Sequence, residues 1–520
     1  WTDADASYYL IKGSSTSFAA IVAPVDGAAE ADDELVKNVA SGVQSHSFTG
    51  LSSNQTYYFK IYPYNGTEST INYKTSPDPP EASVTTQAQA ATTYTWIGDD
   101  NASWLEATNW SPTRTSPQDN DILIFNSGTK TITAVPSQTI GQLKVTDGAK
   151  ITLKASEGIT LTINGDEGDD LSVASGCELN ISGSNALTIS LQTSATGNIA
   201  GSMTFSGGGH KLTASAASAI IFSGTFTAGS GFSGNPFGTT THNSVVFQSG
   251  STYIYMAGGN PFGAGQPNSV VVFQTGSLYS HRGSGTPSFS GRTYADFELD
   301  YNGGTISPSG TSAVSIDNLT IKQGTMNFNT TGIPGHSIKG NINIYTGATL
   351  NFNPSSAGTV LLNGTSLQTI SGEGTLSATS NSTIQVDNTN GVKLNKTATL
   401  YNMTVSSGAI FELSSSAALT LSGNLTNSGN FSLQSESTGT ASFILNGNYS
   451  GSGTFEMERY VAGADWNTWD DGWHDISSPV QDQEISTFTT GIYDFYGWDE
   501  TQNLWINYKD GSFIPWNDNS

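Results

Sequence analysis

The tetrapeptide Asn235-Pro236-Phe237-Gly238 returns as Asn260-Pro261-Phe262-Gly263, a step of 25 residues. Each copy leads into a near-identical apolar run, SVVFQSGSTY and then SVVVFQTGSLY. Related units recur along the chain as IGQLKVTDGAKITL (140–153), IDNLTIKQGTMNF (316–328), IKGNINIYTGATLNF (338–352), LYNMTVSSGAIFEL (400–413) and LSGNLTNSGNFSL (421–433). Each is a short alternating strand, a glycine, and a second alternating strand. Gly324 recurs as Gly347 after 23 residues, and Gly408 as Gly429 after 21. A drifting period in the low twenties is the mark of a solenoid.

Side-chain spacing selects among solenoids. Apolar residues at helical spacing are nearly absent, and so is the leucine-rich repeat with its structural Asn. What remains is three short strands per turn, with Gly or Asn at corners where a positive φ costs little. That pattern predicts a parallel β-helix over residues 119–454. Leu319, Ile321, Met326 and Phe328 are expected to point inward and stack on their counterparts one coil later. At about 4.8 Å per coil, about fifteen coils make a rod of roughly 70 Å. The two NPFG copies become neighbouring coils whose Val and Phe residues form a ladder.

Composition agrees and narrows the possible partners. Only 12% of residues are charged, 58 of 520 are Gly, and aromatics reach 10%, too many for a disordered tract. The net charge is 18 − 43 = −25. Such a surface repels phosphate backbones and anionic lipid, arguing against nucleic-acid partners. Four arginines, Arg114, Arg282, Arg292 and Arg459, weaken any phosphate-recognition reading further. The single cysteine, Cys177, forbids an internal disulfide and reads as a small buried filler. No apolar run is long enough to span a bilayer as a helix, so no membrane insertion is expected.

Outside the repeats the chain divides into three further parts. Residues 1–87 contain SYYLIKG and QTYYFKIYPYNG, which alternate as strands should: Tyr57, Phe59 and Ile61 share one face. Residues 88–118 follow as a linker and a tryptophan-rich stretch, in which Trp96, Trp104 and Trp110 are expected to plug the start of the solenoid. Residues 455–520 carry Trp466, Trp469, Trp473, Trp498 and Trp505 and predict a small all-β C-terminal module or cap. Within it, GIYDFYGWDETQNLWINYKDG reads as a strand pair turning at DETQN, and His474 is expected to pack inside the cap.

Candidate chemistry is sparse. The acidic stretches NGDEGDD (164–170) and GDDNAS (98–103) match no calcium loop and read as solvated turns. The central coils from 170 to 295 hold almost no charge apart from a basic cluster of His281, Arg282 and Arg292, with Asp296 and Glu298 close by. That set is thin for acid–base work on an acidic polysaccharide, and no GxSxG, Walker or HExxH motif occurs. No catalytic, cofactor-binding or metal-binding residue is assigned. Tyr253, Tyr255, Tyr279 and Tyr294 are read two ways: as corner aromatics that stack on sugar rings, or as ladder residues inside the coil.

The stretch HSFTGLSSNQTYYFKIYPYNG resembles the end of a fibronectin type III domain, with Leu51 and Tyr57 where that family keeps a Leu and its corner tyrosine. Trp1 falls where such a domain carries the core Trp of its second strand. The resemblance therefore implies that the first strand and most of the second are missing. Either the chain is a fragment of a longer polypeptide, or a neighbouring molecule supplies the strand. Together, TYTWIGDDNASWLEATNWSP, the NPFG coils and GWHDISSPV resemble very large secreted or surface proteins of the Bacteroidetes. In that class fibronectin-like modules precede a right-handed β-helix, and a type IX secretion sorting domain ends the chain. The resemblance implies an all-β protein in which a parallel β-helix is flanked by a fibronectin type III-like β-sandwich and a small all-β module. It also implies an extracellular or cell-surface location. The function expected is structural or adhesive and non-catalytic, with no cofactor. Its partner would be another copy of itself, joined head to tail by strand complementation, or a surface glycan. A glycan-binding adhesin and a polysaccharide lyase or hydrolase are the alternatives.

Overall fold

The computed structural model describes residues 1–2, 5–87, 90–165, 168–330, 335–463, 473–475 and 495–507. With 45% strand and 2% helix the chain is all-β, and a parallel β-solenoid of about 14 turns dominates it. One early coil shows the plan. Gln142–Val145 lies on a first face, Lys150–Leu153 on a second and Ile159–Ile163 on a third. Each pairs in parallel with its counterpart in the next coil: Leu143 with Leu171, Ile151 with Leu179, Leu161 with Ile189. Parallel neighbours sit about 4.8 Å apart, so equivalent side chains stack directly.

The second face runs unbroken from Thr129–Ile132 to Thr454–Met457. The third face has four strands and ends at Lys211–Ala214. Beyond it, the glycine-rich segments that contain NPFG close each coil without a strand. Phe237 and Phe262 of these segments point into the core and are 2% and 0% exposed. From Asp296 onward the second-face strand lengthens into Asp296–Ile306 and Leu319–Phe328. It then splits into pairs such as Ile342–Ile344 and Thr349–Phe352, which restores three strands per coil. The bridge between Thr293 and Ser315 hands the first face on to a seven-stranded sheet ending at Tyr449–Ser450.

The residue step per coil varies from 18 (Tyr279 to Phe297) to 28 (Ile151 to Leu179). Apart from the long strands Asp296–Ile306 and Leu319–Phe328, strands stay short and similar, so surplus residues go into corners. This is why the sequence period drifts while the ladder does not. The expected ladders are present: Val245 aligns with Val271 and Phe247 with Phe273. Leu319, Ile321, Met326 and Phe328 are all buried.

Two ring columns fill the central coils. Phe222, Phe247 and Phe273 stack at 4.7 Å and 5.0 Å with interplanar angles of 5° and 21°. Phe226, Tyr253, Tyr279 and Phe297 stack at 5.4, 5.1 and 5.4 Å. The columns meet edge to face, as where Phe247 and Tyr253 lie at 82°, the arrangement ring quadrupoles prefer.

The corner glycines do two different jobs. Gly408 takes φ +78 and an added Cβ would meet nothing within 4 Å, so only its backbone conformation calls for glycine. Gly429, its repeat partner in the sequence, has no positive φ. There an added Cβ would lie 2.3 Å from the Ala409 carbonyl oxygen, so glycine serves close coil packing.

The tryptophan plug forms as expected. Trp96, Trp104 and Trp110 are buried and meet nearly perpendicularly, at 4.9 and 5.1 Å. Thr93–Trp96 adds to the first face in parallel, and Trp110–Ser111 closes that edge antiparallel. Beside them a fully buried pair locks the cap: Arg114 Nε and NH2 each lie 2.8 Å from Asp121 Oδ2. Arg114 also sits over the Tyr94 and Trp110 rings.

Residues 5–87 have a separate small core of Leu10, Tyr62, Tyr64, Ile71 and Tyr73. Their strands form one antiparallel sheet in the order Val36–Ala40, Tyr8–Ser14, Thr56–Asn65, with Asn72–Tyr73 and Glu81–Thr85 both joined to the last. The Tyr57 hydroxyl accepts the Ser52 N–H at 3.0 Å, a short-range corner contact. The other face bounds a cavity of about 540 Å³ lined by Trp1, Ile11, Phe48, Leu51, Phe59 and Ile61 among others.

At the C-terminal end, Tyr496–Asp499 and Leu504–Asn507 pair antiparallel, as read from the sequence. The Asp499 carboxylate accepts the Thr501 hydroxyl and the Gln502 side-chain amide, and with the Thr501 and Gln502 N–H groups of the turn these hold its pKa at about 2. Trp498 and Trp505 are in ring contact at 5.4 Å. His474 is exposed rather than packed inside, and its Nε2 lies 3.1 Å from the Ala462 carbonyl oxygen. Trp466 and Trp469 lie outside the described residues.

Gly408→Ala should cost about 1–2 kcal/mol, the usual penalty for a left-handed L-residue. Gly429→Ala should cost more, because backbone must move; urea unfolding of the two variants checks the order. Asp121→Ala should be among the most damaging single changes, about 3–5 kcal/mol, because it strands a buried guanidinium. A lowered unfolding midpoint with early loss of tryptophan burial by fluorescence would report it.

Candidate functional site on the second face

Strands on the second face alternate inward and outward, and register alone brings charged residues together on the outer side. Tyr255 aligns with His281 and His281 with Leu299, so Met256, Arg282 and Asp300 follow in line; after Leu299, which aligns with Ile321, a bulge pairs Asp300 with Gln323 and leaves Lys322 as the extra residue between them. The outward column along the rod axis is therefore Met256, Arg282, Asp300, Lys322 and Tyr345. A parallel column holds Ile254, Ser280, Glu298, Thr320 and Asn343.

Glu298 is the centre of this surface, with its side chain 8% exposed. The Ser280 hydroxyl donates to its Oε1 at 2.8 Å, and Lys322 Nζ approaches Oε2 at 2.7 Å. Arg282 Nε donates to Ser280 Oγ at 3.0 Å and lies 3.6 Å from Asp300 Oδ2. Gln323 Nε2 donates to the other Asp300 oxygen at 2.8 Å. The hydrogen bond to Glu298 raises the Lys322 pKa against the opposing effect of burial. The carboxylates thus lie deep while the cationic tips reach solvent, Arg282 at 41% and Lys322 at 38% exposed.

The basic cluster read from the sequence does not assemble as a unit. Only Arg282 and Glu298 meet. His281 points inward, stacks on Tyr255 at 4.6 Å and contacts the Gly285 carbonyl oxygen through Nε2. Arg292 turns to the NPFG loops, over the Phe262 ring and bonded to the Ser290 carbonyl. Asp296 accepts from Asn318 at 2.7 Å. The residues that complete the network, Ser280, Asp300, Lys322 and Gln323, went unrecognised. The signal was available in the strict alternation of Ser280/Arg282, Glu298/Asp300 and Thr320/Lys322, once adjacent coils are aligned.

The tyrosines resolve in favour of the ladder. Tyr253, Tyr255, Tyr279 and Tyr294 are 0%, 7%, 2% and 1% exposed, so no sugar ring reaches them. Cys177 is buried, as expected, and its sulfur accepts the Gly148 N–H at 3.3 Å. Of the acidic turns, the one at 98–103 is exposed at Asp99 and Asp100, as read, and Asp169 is exposed, whereas Asp170 departs from the reading. Asp170 is fully buried and accepts the Thr196 N–H at 2.8 Å, while Asp100 accepts the Thr131 N–H at 2.7 Å, which lowers its pKa. Among the described residues no group of three or more His, Cys, Asp or Glu side chains is placed to hold a metal ion. No described helix is long and apolar enough to cross a membrane.

Two buried histidines act as neutral staples between coils. His210 Nδ1 accepts the Leu187 N–H and its Nε2 donates to the Ser206 carbonyl; His336 does the same with Val314 and Thr330. Burial lowers both pKa values, and it lowers that of His281 to about 4. No family model matches this chain, and no curated protein matches it.

A lowered folded-state pKa means the unfolded chain binds protons first as pH falls. Stability should therefore be full above about pH 6.5 and decline as pH falls, with His281 contributing about 1.4 kcal/mol per pH unit down to about pH 4 and His210 and His336 adding in the same direction. Urea unfolding at stepped pH should show this slope, reduced in His281→Gln.

Proposed function

We propose that this protein is a non-catalytic structural or adhesive rod that works at the cell surface or outside the cell. The observation that carries this reading is the unbroken second face, one parallel ladder from Thr129–Ile132 to Thr454–Met457. About 14 turns at about 4.8 Å each span roughly 67 Å. Each coil is fastened to the next by backbone hydrogen bonds and inward stacks, which makes such a rod stiff. The net charge of −25 opposes lateral sticking of rods.

Both oxygens of Glu298 are engaged, by Ser280 and Lys322, and this favours a binding surface over an acid–base centre. Self-assembly belongs to the same proposal. The apolar cavity beside Ile11, Phe59 and Ile61 offers a surface against which the side chains of a strand from another copy would pack as that strand pairs with the sheet edge.

Negative-stain electron microscopy of the purified chain over a range of concentrations tests both parts. Rods joined end to end with one chain per axial repeat are the expected outcome. Isolated rods at every concentration would remove self-assembly and leave the rod. Particles without an elongated axis would overturn the reading as a whole.

A further inference from the structure

Along the second face the outward column begins and ends on exposed apolar side chains. Met256 is 46% exposed and Tyr345 is 47% exposed. Between them stand Arg282, Asp300 and Lys322, one per coil, with Glu298 beneath. Five coils at about 4.8 Å place the two ends roughly 19 Å apart. Backbone pairing sets this spacing, and at the one bulge, where Gln323 pairs with Asp300, Lys322 is held instead by Glu298 at 2.7 Å, so the strip still presents one side chain per coil. An extended β-linked polysaccharide advances by a comparable rise per sugar.

The chemistry of the strip suits sugar hydroxyls. A half-exposed phenol ring is a platform for the apolar face of a pyranose. The exposed Arg282 and Lys322 groups keep N–H donors turned to solvent. Their partners Glu298 and Asp300 hold them in place, so little side-chain entropy is lost on binding. The four charges cancel, and the chain as a whole carries −25. A polyanion therefore gains nothing here that the surrounding field does not take away.

We infer that the outer second face from Met256 to Tyr345 binds an extended neutral polysaccharide lying along the rod axis. The inference rests on the adhesive half of the proposed function and names its ligand class. It stands apart from self-assembly, because the strip lies on the solenoid wall.

Affinity electrophoresis of the full chain in native gels tests it, with xylan, mannan or hydroxyethyl cellulose cast in separate gels and polygalacturonate as the anionic comparison. Retardation is expected in at least one neutral gel and not with polygalacturonate. Tyr345→Ala should weaken it at least tenfold, while Tyr345→Phe, which keeps the ring, should stay within about twofold. Tyr449→Ala removes an equally exposed tyrosine from the last coils and should leave binding unchanged. Circular dichroism of each variant separates lost binding from lost fold. Three results would each overturn the inference: no retardation by any neutral polymer, retardation by polygalacturonate alone, or retardation untouched by Tyr345→Ala. The rod would survive any of these, since microscopy reads it independently.

Discussion

An inward side chain of one coil has no apolar partner except its own coil and the coils above and below. The structure rests on that dependence. Ile151 is buried because Leu179 follows it, and Leu179 because Met203 follows in turn. A single coil would leave most of its apolar surface in water, so the repeats are stable only together. The same requirement explains the cap. The first coil has no predecessor, and Trp96, Trp104 and Trp110 stand where that predecessor would be, held by the Arg114–Asp121 pair. Burying that pair is tolerable because both charges are matched and Asp121 also accepts the Gln118 N–H.

The aromatic columns show how the solenoid adapts when a strand is lost. Where the third face stops after Lys211–Ala214, the glycine-rich segments supply Phe232, Phe237, Phe262 and Phe289 as inward rings. These large side chains fill the volume that a regular strand of Leu and Ile fills earlier. The tyrosines belong to the same solution. Tyr294 keeps its hydroxyl satisfied by the Ser288 carbonyl while its ring joins the packing, and burial raises its pKa far above the ordinary value. These rings are part of the core, and the charged network around Glu298 lies on the opposite side of the second-face strands.

Much of the fold was legible because it depends on local periodicity. The alternation in LKV, ITL and LTIKQGTMNF shows which residues face in, and Gly148, Gly347 and Gly408 with positive φ mark corners. The candidate surface was only half legible. Arg282 and Glu298 stand out by charge, but Asp300 follows two residues later on the strand of Glu298, and Lys322 comes from the next coil. Which residue of the next coil lies alongside depends on corner lengths, and these vary from coil to coil. Gly429 is a similar case: its sequence partner Gly408 answers to φ, whereas Gly429 answers to the Ala409 carbonyl of an adjacent coil.

Sequence by itself determined the all-β class, the stacked parallel coils, the inward ladder of Val and Phe after each NPFG, and the tryptophan plug. Each of these follows from period, side-chain size and turn chemistry, which are properties of short segments. Tertiary structure alone decided the number of strands in each coil, the inward turn of Tyr253, Tyr279 and His281, and the outer network around Glu298. Those depend on cross-coil register, and register is set by how eighteen to twenty-eight residues close each turn. That closure is a property of the packed rod, because the chain is free to place surplus residues at any corner until the next coil fixes them.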